Sequence, residues 1–129
     1  MQSIDPIGNI YSEIGSEKPF FALVEAFYTL VEEDRILRPL YPKDLGPPKE
    51  HLALFLIQRM GGRGTYSLER GHPRMRARHL PFKIGKNERD AWLKNMNQAL
   101  DSTPEFAPHK EVVKTFFSEF ATFLINQPD

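Results

Sequence analysis

One histidine sits where the backbone can hardly continue as helix. In GHPRMRARHLPFKIG, residues 71–85, Pro73 suits a first helical turn because its missing N–H would go unpaired there, and Pro81 pushes Leu80 away from helical angles. These limits place His79 at a fixed helix end. Thirteen residues later comes the only tryptophan, Trp92, in a stronger helical pattern that follows the corner PFKIG, so the two side chains could face one cavity from neighbouring helices. An imidazole nitrogen is a good metal ligand, and its other N–H must be oriented by an acceptor behind the ring, which the nearby prolines would help hold. Residue type alone leaves a surface or satisfied core histidine as the commoner outcome, and His51, His72 and His109 offer no comparable setting.

Composition narrows the chemistry. A chain of 129 residues is the size of one domain and long enough to bury roughly two-thirds of its unfolded surface, so residues 1–129 read as a single unit. Basic and acidic side chains balance at 17 each, and no global field points to nucleic acid, a membrane or a highly charged partner. The absence of cysteine excludes disulfides and every thiolate metal site. Histidine is then the strongest soft-metal ligand left. The opening MQSIDPIGNIY has no basic region before an apolar core, and no run approaches a membrane span, so the cytoplasm is the expected location.

The elements that must position these residues are helical. Ile7, Ile10, Tyr11 and Ile14 follow helical spacing up to Gly15. From Pro19, Phe20, Leu23, Val24, Phe27 and Val31 form one stripe, and Tyr28 falls on its flank with the hydroxyl directed inward and in need of a partner. RPLYPKDLGPPKE is a turn-rich corner holding Tyr41, and a helix runs from near Pro48 to Met60 before Gly61 and Gly62. Residues 61–73 read as a polar loop. Asn87 with Asp90 approximates a capping box for a helix carrying Trp92, Met96, Ala99 and Leu100, and a last helix starts near Pro108 with Val113, Phe116, Phe117, Phe120, Phe123 and Leu124 inward. No segment sustains strand alternation, so the class is all-α.

Three motifs carry a resemblance. GGRGTY (61–66), GHPRMRARHLPFKI (71–84) and RDAWLKNM (89–96), with AFY (26–28) and LRPLYP (37–42) upstream, resemble the group II truncated haemoglobins over roughly residues 7–100. The resemblance implies a truncated globin fold, two helices over two around one haem b, with pairs 19–33/48–60 and 87–102/108–125. It also implies that His79 is the proximal ligand of the iron. On the other side Tyr28 and Trp92 match positions around bound ligand, where an O–H or N–H donor would slow the release of dioxygen, and Tyr41 matches a corner aromatic that often joins them. The entrance position falls on Pro48 and the next inward one on Leu52, so no histidine gate is available and neither side chain donates a hydrogen bond. Phe55, Met75, Phe82, Ile84 and Met96 are apolar candidates for porphyrin contact, while Arg78, Tyr66 and His51 are candidates for its propionates. His72 reads as a structural loop residue. Ser16 stands where the family often has glycine, which affects an early turn only.

The functional expectation is reversible binding of dioxygen, with carbon monoxide and nitric oxide as competitors. An enzymatic alternative uses the same scaffold, nitric oxide dioxygenation or peroxidase turnover, and would need an external reductase because the chain has no flavin or nicotinamide domain. Whether the protein is a monomer or a homodimer stays open. Arg63, Arg70, Arg74, Arg76 and Arg78 lie within sixteen residues and could form a nucleic-acid patch. Balanced charge and the lack of a nucleic-acid motif favour a solvated surface instead. A metal hydrolase has no support, since HExxH and GxSxG are both missing.

Overall fold

The computed structural model describes residues 5–128, so the first four residues, on which the leader reading partly rests, lie outside it. Among the described residues seven α-helices follow in order: α1 (Ile10–Ile14), α2 (Lys18–Glu33), α3 (Gly46–Arg59), α4 (Thr65–Arg70), α5 (Met75–His79), α6 (Lys86–Asp101) and α7 (Lys110–Phe123). Short 3-10 turns at Arg38–Leu40 and Pro104–His109 complete them, and no strand occurs among the described residues. The long helices pack as α2 on α3 and α6 on α7, with α2 also against α6. The expected stripe of α2 is the centre of the core, since Phe20, Leu23, Val24, Phe27 and Val31 are all buried. Phe106 and Phe117 close it from the other pair. Each such side chain contributes on the order of 2–3 kcal/mol by leaving water.

Several boundaries differ from the sequence expectation for physical reasons. The loop expected over 61–73 contains α4, which Gln58 pins from α3: its Oε1 accepts the Ser67 N–H at 2.9 Å and its Nε2 donates to Ser67 Oγ at 2.8 Å. Pro73 precedes α5 instead of opening it, and Arg74 makes the turn in the left-handed region (φ 44°). Leu80 keeps helical angles (φ −57°, ψ −33°) despite Pro81, so it caps α5 directly after His79. The start of α6 is at Lys86, because Glu88 Oε1 accepts the Gly85 N–H at 2.7 Å; Asn87 and Asp90 do not form the cap. Pro108 lies inside the 3-10 turn and α7 begins only at Lys110.

Two tertiary fixtures hold the ends of these helices. Gly61 has φ +98°, and a Cβ there would lie 2.0 Å from the Gly8 carbonyl oxygen, so the N-terminal loop requires glycine at this contact. Gly61→Ala should destabilise the fold by about 3 kcal/mol, combining left-handed strain with the clash. Urea unfolding checks this, and an unmoved midpoint would mean that the loop yields freely.

The second fixture is Asp34, just after α2. Its Oδ1 accepts the Ile36 and Leu37 N–H groups at 2.8 and 2.9 Å, and its Oδ2 accepts Asn95 Nδ2 at 2.8 Å, which ties α6 to the corner that carries Tyr41. Burial works to raise the Asp34 pKa, but the bonds from Asn95, Leu37 and Ile36 outweigh it and the net shift is downward. A depressed carboxylate pKa adds stability above the unfolded value and loses it as pH falls through the folded one. Asp34→Ala should therefore cost about 1 kcal/mol at neutral pH, a figure kept small by solvent screening, with the difference from wild type vanishing in acid. Thermal melts across that range measure it; a pH-independent difference would contradict the assignment.

Candidate functional site

A cavity of about 340 Å³ opens between the corner after α2, α3, the α5 segment, α6 and α7. That lies within the span of ~300–1,000 Å³ usual for ligand pockets. Its walls are largely apolar, with Phe55 from α3, Met75 from α5, Phe82 and Ile84 from the loop that follows, and Phe120 and Leu124 from the end of the chain. His79 enters this wall from the last position of α5. Its Nδ1 lies 2.6 Å from the carbonyl oxygen of Met75, one helical turn back. A carbonyl only accepts, so Nδ1 carries a proton, and it is Nε2 that offers a lone pair in the neutral ring. The acceptor expected behind the ring is thus supplied by the helix itself.

Three aromatic residues converge across the cavity. Tyr28 is buried on α2, Tyr41 stands at the end of the 3-10 turn, and Trp92 projects from the second turn of α6. The Tyr28 and Tyr41 rings meet edge to face at 5.3 Å, and Trp92 packs on Phe27 and Phe117 at 5.5 and 5.6 Å. Burial, then the charge and hydrogen bond of Tyr41, holds the Tyr28 pKa far above the usual phenol range. Burial also pushes Tyr41 up to about 12, against the lowering effect of hydrogen bonds from Tyr28 and Trp92. Both phenols keep their protons at any physiological pH. A hydroxyl can accept two hydrogen bonds and donate one. The Tyr28 and Tyr41 hydroxyls and the Trp92 indole N–H are the protic groups that these three aromatic residues bring to the cavity.

At the mouth, Pro48 and Leu52 line the cavity one turn apart on α3. Between them in sequence, His51 Nε2 lies 2.9 Å from Arg70 Nη1, and both residues face the opening. Burial and then the Arg70 charge lower the His51 pKa, so the imidazole stays neutral and accepts from the guanidinium. Arg78 lines the same side, but two of its nitrogens hold the loop before α5: Nε donates to the Pro73 carbonyl and Nη2 to that of Arg70, both at 2.6 Å. Tyr66 is buried beneath, edge-on to Phe55, with the Arg70 and Arg78 guanidinium groups over its ring at 5.8 and 5.9 Å.

Of the residues singled out from sequence, the cavity gathers His79, Tyr28, Tyr41, Trp92, Pro48, Leu52, Phe55, Tyr66, Met75, Arg78, Phe82 and Ile84. Met96 stands apart from them. It is fully buried in the helical core and does not reach the cavity wall. Sequence reasoning missed Leu37, Leu40, Glu88 and Arg89 as lining residues, and treated Phe120 and Leu124 only as a core stripe. Their spacing of four, from the last turn of α7 to its cap, was the available signal. His72 is a loop residue, its Nδ1 accepting the Arg74 N–H at 3.1 Å, and His109 meets Glu13 at 3.2 Å.

The arginine cluster does not form one free patch. Arg63 is paired with Glu17, Arg70 with His51, Arg76 with the Phe123 and Ile125 carbonyls, and Arg78 with the loop. No group of three or more histidine, aspartate or glutamate side chains that could hold a metal ion occurs among the described residues. A lone imidazole in an apolar slot suits a metal that brings its own equatorial ligands, as a porphyrin does. No helix among the described residues is long and apolar enough to cross a membrane.

An all-helical fold around such a slot is what a globin presents, and the bacterial-like globin family model matches residues 9–126. A group 2 truncated haemoglobin of Bacillus subtilis (strain 168) is 43% identical over 91 residues, 70% of this chain and 68% of that protein. The crystal structure of a haemoglobin from Chloroflexus aurantiacus has a TM-score of 0.88 at 48% identity, covering 92% of this chain and 98% of that one. The group II truncated haemoglobin of Bacillus anthracis has a TM-score of 0.88 at 36% identity, covering 100% and 96%. The chain belongs to the group II truncated haemoglobins, and with them it is a haem-binding globin of the all-α truncated fold.

Proposed function

We propose that the cavity seats one haem b on His79 Nε2 and that the protein binds dioxygen reversibly, with carbon monoxide and nitric oxide as competitors. What carries the reading is the pairing of His79 Nδ1 with the Met75 carbonyl at 2.6 Å, which leaves Nε2 as the free nitrogen of a ring in an apolar slot. Haem, when bound, supplies an open iron position for a diatomic ligand. The other roles belong to this chain. Met75 fixes the tautomer and orientation of the imidazole, as acceptors behind metal-binding histidines do. Phe55, Phe82, Ile84 and Phe120 exclude water from the ring faces, and the Arg70 and Arg78 guanidinium groups offer charge for the propionates at the mouth. Tyr41 donates its proton to the ligand, with Tyr28 edge to face against it and Trp92 lining the same cavity as a further N–H donor.

Cycling the haem-loaded, reduced protein between oxygen and vacuum tests this function. A spectrum that returns over repeated cycles is expected. Oxidation at every exposure, or many turnovers of nitric oxide with a reductant present, would replace the binder with an enzyme that depends on an external reductase.

A further inference from the structure

We propose that Asn126, in the segment after α7, is a positioning residue for His79; the inference rests on the ligation proposed above. The five residues of α5 are too few to hold a helix by local bonds alone, so its geometry must come from tertiary contacts. Met75 fixes the imidazole relative to α5 and leaves open what fixes α5 relative to the rest of the molecule. Asn126 does this from 47 residues away. Its Nδ2 donates to the His79 carbonyl at 3.2 Å and to the Phe82 carbonyl at 2.8 Å. Its Oδ1 accepts the Ile84 N–H at 3.0 Å, and its own N–H donates to the Ile84 carbonyl at 2.8 Å. One side chain thus ties the residue bearing the imidazole to two residues of the loop that follows α5 and lines the cavity.

The brace is reciprocal. Arg76, on α5, reaches back with Nη1 to the carbonyls of Phe123 and Ile125 at 3.2 and 2.9 Å. Phe123 is the last residue of α7, so its carbonyl has no helical partner, and Ile125 lies just beyond the cap. Two polar side chains pointing in opposite directions therefore lock the end of α7 to the segment that carries His79. Their joint effect is to set where Nε2 stands in the cavity, and so how firmly haem is retained and how strained the bond to iron becomes.

Asn126→Asp separates the bonds within this brace, because it keeps an acceptor for the Ile84 N–H and removes both donations to carbonyls. Arg76→Met cuts the same brace from the other side. In the haem-loaded protein, transfer of haem to an excess of an apo-globin acceptor should be about tenfold faster in each variant, the lower end of what a metal ligand's supporting partners contribute. The iron–histidine stretching band of the reduced protein should move or broaden, while the melting temperature of the haem-free protein stays within a few degrees of wild type. A transfer rate within twofold of wild type together with an unmoved band would overturn the proposal. So would faster transfer that only follows a lower melting temperature, since that is general loosening. If the reduced wild type shows no iron–histidine band at all, the His79 ligation itself fails and the brace has no ligand to position; a normal wild-type band unmoved by both variants refutes the brace alone.

Discussion

His79→Ala should lower haem affinity at least about 100-fold while leaving the helices in place, because the side chain supplies the only protein ligand proposed for the iron. The expectation that the fold survives follows from where His79 stands. It is half-exposed at the wall of a cavity, outside the packed core of Phe20, Phe27, Phe106 and Phe117. Circular dichroism should be close to wild type, and competition with an apo-globin should show the loss. His79→Gly adds a sharper readout, since the vacated space can admit free imidazole, and millimolar imidazole should restore a histidine-like spectrum. Haem bound by His79→Ala with wild-type affinity and spectrum would move the ligand to another residue.

Tyr41→Phe should speed dioxygen dissociation roughly 10- to 100-fold, the kinetic equivalent of losing one hydrogen bond worth about 1.5–3 kcal/mol to a ligand that gains negative charge. Tyr28→Phe and Trp92→Phe should each have a smaller effect, about severalfold. In either of these the Tyr41 hydroxyl, proposed as the ligand's donor, remains in the cavity. The order of the three rates is the informative quantity. If Trp92→Phe or Tyr28→Phe exceeds Tyr41→Phe, that side chain donates to the ligand directly and Tyr41 is the support. Sequence put Tyr28 and Trp92 first, and these rates decide between the two orders.

The proximal side was legible because its constraints are local. Prolines, glycines and a histidine within fifteen residues restrict the backbone whatever surrounds it, and the period of α2 and α6 placed Tyr28 and Trp92 on inward faces. What sequence could not display are bonds made across the fold. Gln58 builds α4 inside an apparent loop through Ser67, and Gly85 replaces Asn87 as cap because Glu88 folds back onto its N–H. Arg78, attractive as a propionate partner, spends Nε and Nη2 on the loop before α5. Met96 shares the helical spacing of Trp92 but points between packed helices, since one turn along α6 the cavity has given way to core. Asn126 has no local signal of any kind: a polar residue near the end of a chain acquires meaning only when His79, Phe82 and Ile84 are found beside it.

The most direct test of the central claim is a titration of the purified protein with haem, followed by absorption spectra of the ferric, reduced and carbon monoxide forms. Saturation at one equivalent, with a reduced spectrum typical of iron on a single histidine and a sharp carbon monoxide complex, is the predicted result. Uptake without saturation, or spectra matching free haem, would contradict the assignment of His79 and of the cavity it faces.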